Sequence, residues 1–213
     1  MKKYLKLLAA CALLACAAVP ALAARDVKLN LNAATTKKLS TFLSNFTELS
    51  YYSFDTFEAG ADDVLHLGSP QSVGDLIHFG IWHNYVNNFK SRIRQTKNGK
   101  YSACIDAKFV AESVDRYFGL PLKHQNVEGA DFYFDGRTYQ FEPADGEATY
   151  YAQVTQAWER TGVGDLPTWR VTGYIYNTED KKDRPATFEA FVYPSTWNGK
   201  ETWIVQGMKT TWK

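Results

Sequence analysis

Thiols are scarce in this chain of 213 residues, and two of its three cysteines, Cys11 and Cys16, fall within the first 24 positions. The third, Cys104, cannot pair with itself, so a chain that keeps it alone must be held by packing rather than by disulfides. Flanked by Ala103 and Ile105, it reads as a buried structural thiol and not as a nucleophile. Catalytic signatures are missing too: there is no G-x-S-x-G, H-E-x-x-H, glycine-rich phosphate loop or C-x-x-C. Neither sign of charge accumulates, with 24 Lys and Arg against 23 Asp and Glu. The absence of a basic stripe argues against a nucleic-acid partner, and the absence of an acidic run argues against a disordered tail. No repeat of solenoid length and no low-complexity linker divides the chain, which points to a single domain.

Histidine is sparse as well, at four residues. His78 and His83 are five apart, which turns the second well away from the first on a helix, whereas zinc-binding helices use a spacing of four. No metal site and no cofactor is expected from them. His66 and His124 sit in loop-like stretches and read as solvated. Asp62-Asp63 with Glu58 matches no calcium loop and reads as an acidic turn.

What is present begins with a leader. Lys2, Lys3 and Lys6 precede an uncharged apolar run over residues 7–19, too short to cross a bilayer core as a helix. Pro20 follows, and Ala21-Leu22-Ala23 before Ala24 has the small-x-small pattern that a signal peptidase accepts. Residues 1–23 are therefore expected to be a signal peptide, leaving 24–213 as the mature domain, secreted or periplasmic and without a transmembrane segment. Removing three lysines and no acid changes the net charge from +1 to −2, with 21 bases against 23 acids. A competing reading takes Leu13-Leu14-Ala15-Cys16 as a lipobox, which makes Cys16 the point of lipidation and the chain a membrane-anchored lipoprotein.

The mature chain changes period midway. Leu39, Phe42, Leu43, Phe46 and Leu49 recur at helical spacing behind Thr35 or Thr36 as the cap. A second helix starts near Ser72 and places Phe79, Ile81, Trp82, Tyr85, Val86 and Phe89 on one arc, with Asn84, Asn87 and Lys90 facing away. A third is capped by Asp106, buries Val110, Val114, Tyr117 and Phe118, and stops at Gly119 before Pro121. Beyond residue 130 apolar positions alternate. Asp135-Gly136 and Asn198-Gly199 mark hairpin turns. Tyr150, Ala152, Val154, Gln156 and Trp158 are expected on one strand face, and Trp169, Val171, Gly173 and Ile175 on another. Gly173 and Gly207 inside long strands suggest bends. The expected fold is α+β: N-terminal helices packed on a curved, cone-like antiparallel C-terminal meander.

That order of elements resembles the NTF2-like and cystatin-like α+β domains, superfamilies with no fixed activity. In sequence, Phe42-Leu43-Ser44-Asn45-Phe46, Tyr117-Phe118-Gly119-Leu120 and the Asp135-Gly136 turn resemble uncharacterised secreted proteins and lipoproteins of anaerobic bacteria. The resemblance carries over no catalytic residue.

Aromatic residues are the one excess: 6 Trp, 13 Tyr and 13 Phe, with five of the tryptophans after residue 150. Tyr151, Tyr174 and Tyr176, out of phase with the core-facing positions, are candidate ligand contacts together with Trp82, because sugars stack their apolar faces on such rings. The leading expectation is a non-catalytic binding protein that holds a small molecule, glycan or protein partner in or beside a cone-shaped pocket. Two alternatives stand beside it: a cell-envelope hydrolase or isomerase using His78 with a carboxylate such as Asp75, and an interaction module exposing a strand edge near residues 188–193. The leader is testable directly: mass spectrometry of the exported protein should find a free N-terminus at Ala24, and a diacylated Cys16 would overturn simple secretion.

Overall fold

An apolar stripe of Leu39, Phe42, Leu43 and Phe46 winds residues Ala33–Thr47 into helix α1, which follows a short strand β1 (Arg25–Lys28). The cap is Asn32, whose side chain accepts from the Thr35 amide at 2.8 Å, so the helix begins ahead of the two threonines expected to cap it. This computed structural model describes residues 25–55, 73–87, 91–144, 150–161 and 167–213. The leader with Cys11 and Cys16, the Glu58/Asp62/Asp63 turn, His66, the Ser72 cap, Phe89 and Lys90 lie outside the described residues.

After α1 come β2 (Phe54–Asp55), α2 (Val73–Val86), β3 (Ile93–Gln95), β4 (Ala103–Asp106), α3 (Ala107–Phe118), β5 (Phe132–Phe134) and β6 (Thr138–Phe141). Four long strands close the chain: β7 (Tyr150–Thr161), β8 (Thr168–Asn177), β9 (Ala186–Trp197) and β10 (Lys200–Trp212). They form an antiparallel meander inside a six-stranded sheet of order β1-β7-β8-β9-β10-β2. A second antiparallel sheet has the order β3-β4-β6-β5. The fold is α+β, with the helices packed on a curved antiparallel sheet.

Half of the small sheet, the β5–β6 hairpin that turns at Asp135-Gly136, is as expected; strands β3 and β4 were not expected. The β3–β4 hairpin falls in a stretch that reads as helical, because Ala103, Cys104 and Ile105 are all buried and so show no alternation. Helix α2 lies between the two sheets and turns a separate face to each. Leu76 and Phe79 join the core of the large sheet, while Ile77 and Ile81 join that of the small one. A helix enclosed on both sides is apolar nearly all round. Asn84 accordingly does not face away: it is 0 % exposed and donates to the Gly80 carbonyl at 2.7 Å and to Ser113 Oγ at 2.9 Å.

Two β-bulges bend the large sheet at the glycines expected to do so. One lies between Val154 and Gln156, opposite Gly173, and the other between Val205 and Gly207. The first shifts the phase of β7. Ala152, Val154 and Ala157 face the core, so Gln156 and Trp158 leave the face they were expected to share with them. Asp106 sits at the start of α3, but its carboxylate makes no cap bond; it pairs with Arg94 across the β3–β4 hairpin at 2.5 Å. The other turn signals behave as expected. Gly119 ends α3 with φ 66°, and Asn198-Gly199 closes β9–β10 with φ 49° and 72°. Strand β9 pairs on both sides, with β8 and β10, so the free edge expected near residues 188–193 does not exist. Cys104 is a buried free thiol.

Gly173 is required by space. A Cβ there would lie 2.0 Å from the Gln153 carbonyl oxygen and 2.7 Å from the Phe188 ring. Gly173→Ala should therefore lower stability by about 2 kcal/mol or more, as overpacked core sites do. Urea unfolding checks this, and an unchanged midpoint would contradict it.

Candidate functional site

The concave face of the large sheet is filled rather than hollow. Phe46 stacks on Phe79 with ring centres 5.2 Å apart and meets Phe42, Phe54, Tyr117 and Phe118 at 5.3 to 5.8 Å. Open space among the described residues lies beside the cone. A groove of about 940 Å³ runs where α1 overhangs β7. Tyr151, Gln153 and Tyr176 line one wall, and Thr36, Lys37, Thr41 and Glu48 of α1 line the other.

Strand alternation puts Tyr151 and Tyr176 directly opposite each other on neighbouring strands, with Tyr174 opposite Gln153. The rings touch edge-on: Tyr151 and Tyr176 are centred 6.1 Å apart, and Tyr174 and Tyr176 6.3 Å. Arg184 lies over the Tyr174 ring at 4.1 Å. The three tyrosines singled out from sequence thus form one continuous half-exposed row. Trp82 does not join them; it packs against Phe141 and Tyr85 under the small sheet, at 5.7 and 5.4 Å. A further aromatic group, Tyr52, Tyr150 and Trp212, lies at the sheet's end with ring centres 5.1 to 6.4 Å apart. Sequence reading misses it because residues 52 and 150 are far apart in the chain.

The groove floor is held by hydroxyls. Strand β1 pairs only with residues 158–161 of β7, leaving the first half of that edge to α1. Ser40 Oγ accepts from the Val154 amide at 3.0 Å, and Ser44 Oγ accepts from the Ala152 amide at 3.1 Å. Thr47 Oγ1 donates to the Tyr150 carbonyl at 2.9 Å. The edge is thereby satisfied without another strand. Serines spaced by four among buried apolar positions of a helix were the available signal.

Glu48 stands at the C-cap of α1, where the helix carbonyls disfavour a negative charge. Burial raises its carboxyl to about 7, against a smaller opposing effect from the Asn87 amide 3.5 Å away. Burial, with a lesser contribution from Glu48, also raises the Tyr151 hydroxyl.

His78 occupies a separate, shallow cleft of about 340 Å³ formed with Asp131 and the 127–130 segment. Its side chain is 36 % exposed, more than a core histidine would be. The carboxylate that meets it is Asp131, with Oδ2 3.6 Å from Nε2; Asp75 supplies its backbone carbonyl, which the Tyr51 hydroxyl approaches at 3.1 Å. The same hydroxyl lies 2.9 Å from His78 Nδ1. A neutral imidazole carrying its proton on Nδ1 satisfies both contacts, donating to the Tyr51 oxygen while the Tyr51 proton goes to the Asp75 carbonyl; an imidazolium would also donate from Nε2 toward Asp131. Burial nevertheless dominates and lowers the His78 pKa, with Asp131 and Asp75 opposing. His124, expected to be solvated, is half-buried with Nδ1 3.1 Å from the Tyr139 hydroxyl.

Among the described residues, no helix is long and apolar enough to cross a membrane, and no group of three metal-ligating side chains occurs. No protein-family model, curated protein or solved structure matches the chain.

The Glu48 shift has a signed consequence. A carboxyl whose pKa rises on folding contributes stability that is complete below about 4.5 and lost as pH climbs through about 7. Glu48→Gln removes that loss, so the melting point of the variant relative to wild type should rise between pH 4.5 and 8. A difference that stays flat over this range would contradict the burial of Glu48.

Proposed function

We propose that this protein is exported, secreted or periplasmic, and binds a saccharide without covalent catalysis, in the groove between α1 and the β7–β8 edge. The observation that carries this reading is the continuous row of Tyr151, Tyr174 and Tyr176, two of which wall a groove of about 940 Å³. A pyranose offers an apolar face and a hydroxyl rim. The tyrosine rings suit the first, and Lys37, Thr41 and Glu48 suit the second. The row is held by the sheet and by the hydroxyl contacts of α1, so ring positions are set before a ligand arrives. Export is supported by the leader pattern, and attachment through a lipidated Cys16 is the alternative form of the same reading.

A second reading has its own observation, the placement of His78 between Tyr51 and Asp131 in an open cleft. It makes the protein a cell-envelope hydrolase or isomerase with His78 as general acid or base. Binding is preferred. The hydroxyl nearest His78 belongs to Tyr51, whose pKa burial raises far above its usual value, and a phenol held that way is a poor nucleophile. Turnover of chromogenic glycosides or esters, lost in His78→Ala, would reverse the preference.

Calorimetric titration with a panel of cell-wall and plant oligosaccharides tests the main reading. At least one should bind saturably, and Tyr176→Ala should weaken it tenfold or more, about 1.4 kcal/mol, with little change in melting point. Binding unaffected by Tyr151→Ala and Tyr176→Ala would refute the groove as the site.

A further inference from the structure

A cavity of about 370 Å³ opens between the α2–α3 pair and the β9–β10 hairpin, and it shares no residue with the tyrosine groove. Its wall carries Arg92, Arg116 and Lys200 against Glu112 and Glu201. Both carboxylates already face a cation. Glu112 lies 3.3 Å from Arg92, and Glu201 lies 3.9 Å from Lys38, which is outside the cavity. Arg92 is further held by Asn84 Oδ1 at 3.2 Å and by the Phe109 ring at 4.3 Å.

Arg116 is different. Among the described residues it has no carboxylate partner; its guanidinium lies 5.0 Å from the Tyr117 ring centre, and its Nε is buried without a hydrogen-bond partner. That Nε has no solvent contact and so does not itself face the cavity; Arg116 lines the cavity as a guanidinium whose charge no described carboxylate neutralises. Ser113 adds a second donor, since its Oγ accepts from Asn84 and keeps its own proton for another group. The site is also electropositive. His83, buried in the same wall, is pushed down to about 3 by burial first and then by Arg116 and Arg92. Trp197 supplies a flat apolar side.

We propose that this cavity binds a small anionic ligand through a carboxylate or phosphate group, with Arg116 as its principal contact and Lys200 as a second, more mobile charge. A guanidinium fork matches the paired oxygens of either group, and the cavity holds a molecule of about monosaccharide size. The inference stands on residues distinct from the saccharide groove and does not depend on it.

Calorimetric titration of the whole mature protein with inorganic phosphate and with glucuronate, with glucose as the neutral control, provides the test. One or both anions should bind saturably and more weakly as salt rises, and Arg116→Gln should weaken binding at least tenfold. Arg116→Lys should retain part of the affinity, and Tyr176→Ala should leave it unchanged. Phosphate alone binding assigns the site to phosphorylated ligands; glucuronate alone assigns it to acidic sugars. If Arg116→Gln fails to fold by circular dichroism, Lys200→Gln at an exposed turn should still show a severalfold loss. Equal affinity in wild type and these folded variants, or saturable binding of neither anion at millimolar concentration, overturns the proposal.

Discussion

Three helices and the sheet meet at Phe46, which has no exposed surface. Its ring touches Phe42 on its own helix, Phe79 on α2, Tyr117 and Phe118 on α3, and Phe54 on β2. Burying such a ring contributes roughly 1.5–3 kcal/mol by area alone, and its edge-to-face neighbours add to that. The sheet has to bend to wrap this cluster, which is why the bulges at Val154/Gln156 and Val205/Gly207 occur inside long strands. Bending in turn brings Gly173 against the Gln153 carbonyl, where no side chain fits. The curvature, the packed interior and the glycine are one constraint seen at three places.

Among the described residues, a packed concave face leaves the groove and the cavity at its rim. The tyrosine groove lies where α1 and β7 leave a gap that β1 is too short to cover, and the serine and threonine hydroxyls of α1 satisfy the backbone there. The cavity at Arg116 arises at the other boundary, where α2 and α3 meet the β9–β10 hairpin. In both places a mismatch between rigid elements leaves room. Polar groups line that room because backbone and charged side chains at the ends of elements need partners.

Much of the fold was legible in the chain. The stripe of Leu39, Phe42, Leu43 and Phe46, the Gly119 stop and the Asn198-Gly199 turn are local signals, each decided by the conformational preference of a few neighbouring residues. The row of Tyr151, Tyr174 and Tyr176 was legible for the same reason: alternation along a strand assigns faces without knowledge of the rest. Legibility failed where one element packs on two others. Asn84 reads as an outward residue until the small sheet and α3 enclose α2, and Trp158 reads as inward until the bulge shifts its strand by one residue. Asp106 reads as a cap until Arg94 arrives from another strand to take its carboxylate.

By itself the sequence determined the periods, the turns and the faces of individual strands, because those depend on steric preferences within a few bonds. Only the tertiary structure decided that described side chains pack the concave face, that Asp131 comes within 3.6 Å of His78, and that Arg116 lines a cavity with no described carboxylate to neutralise it. Each of these depends on which distant segments share a few ångströms of space, and periodicity along one chain carries no record of that.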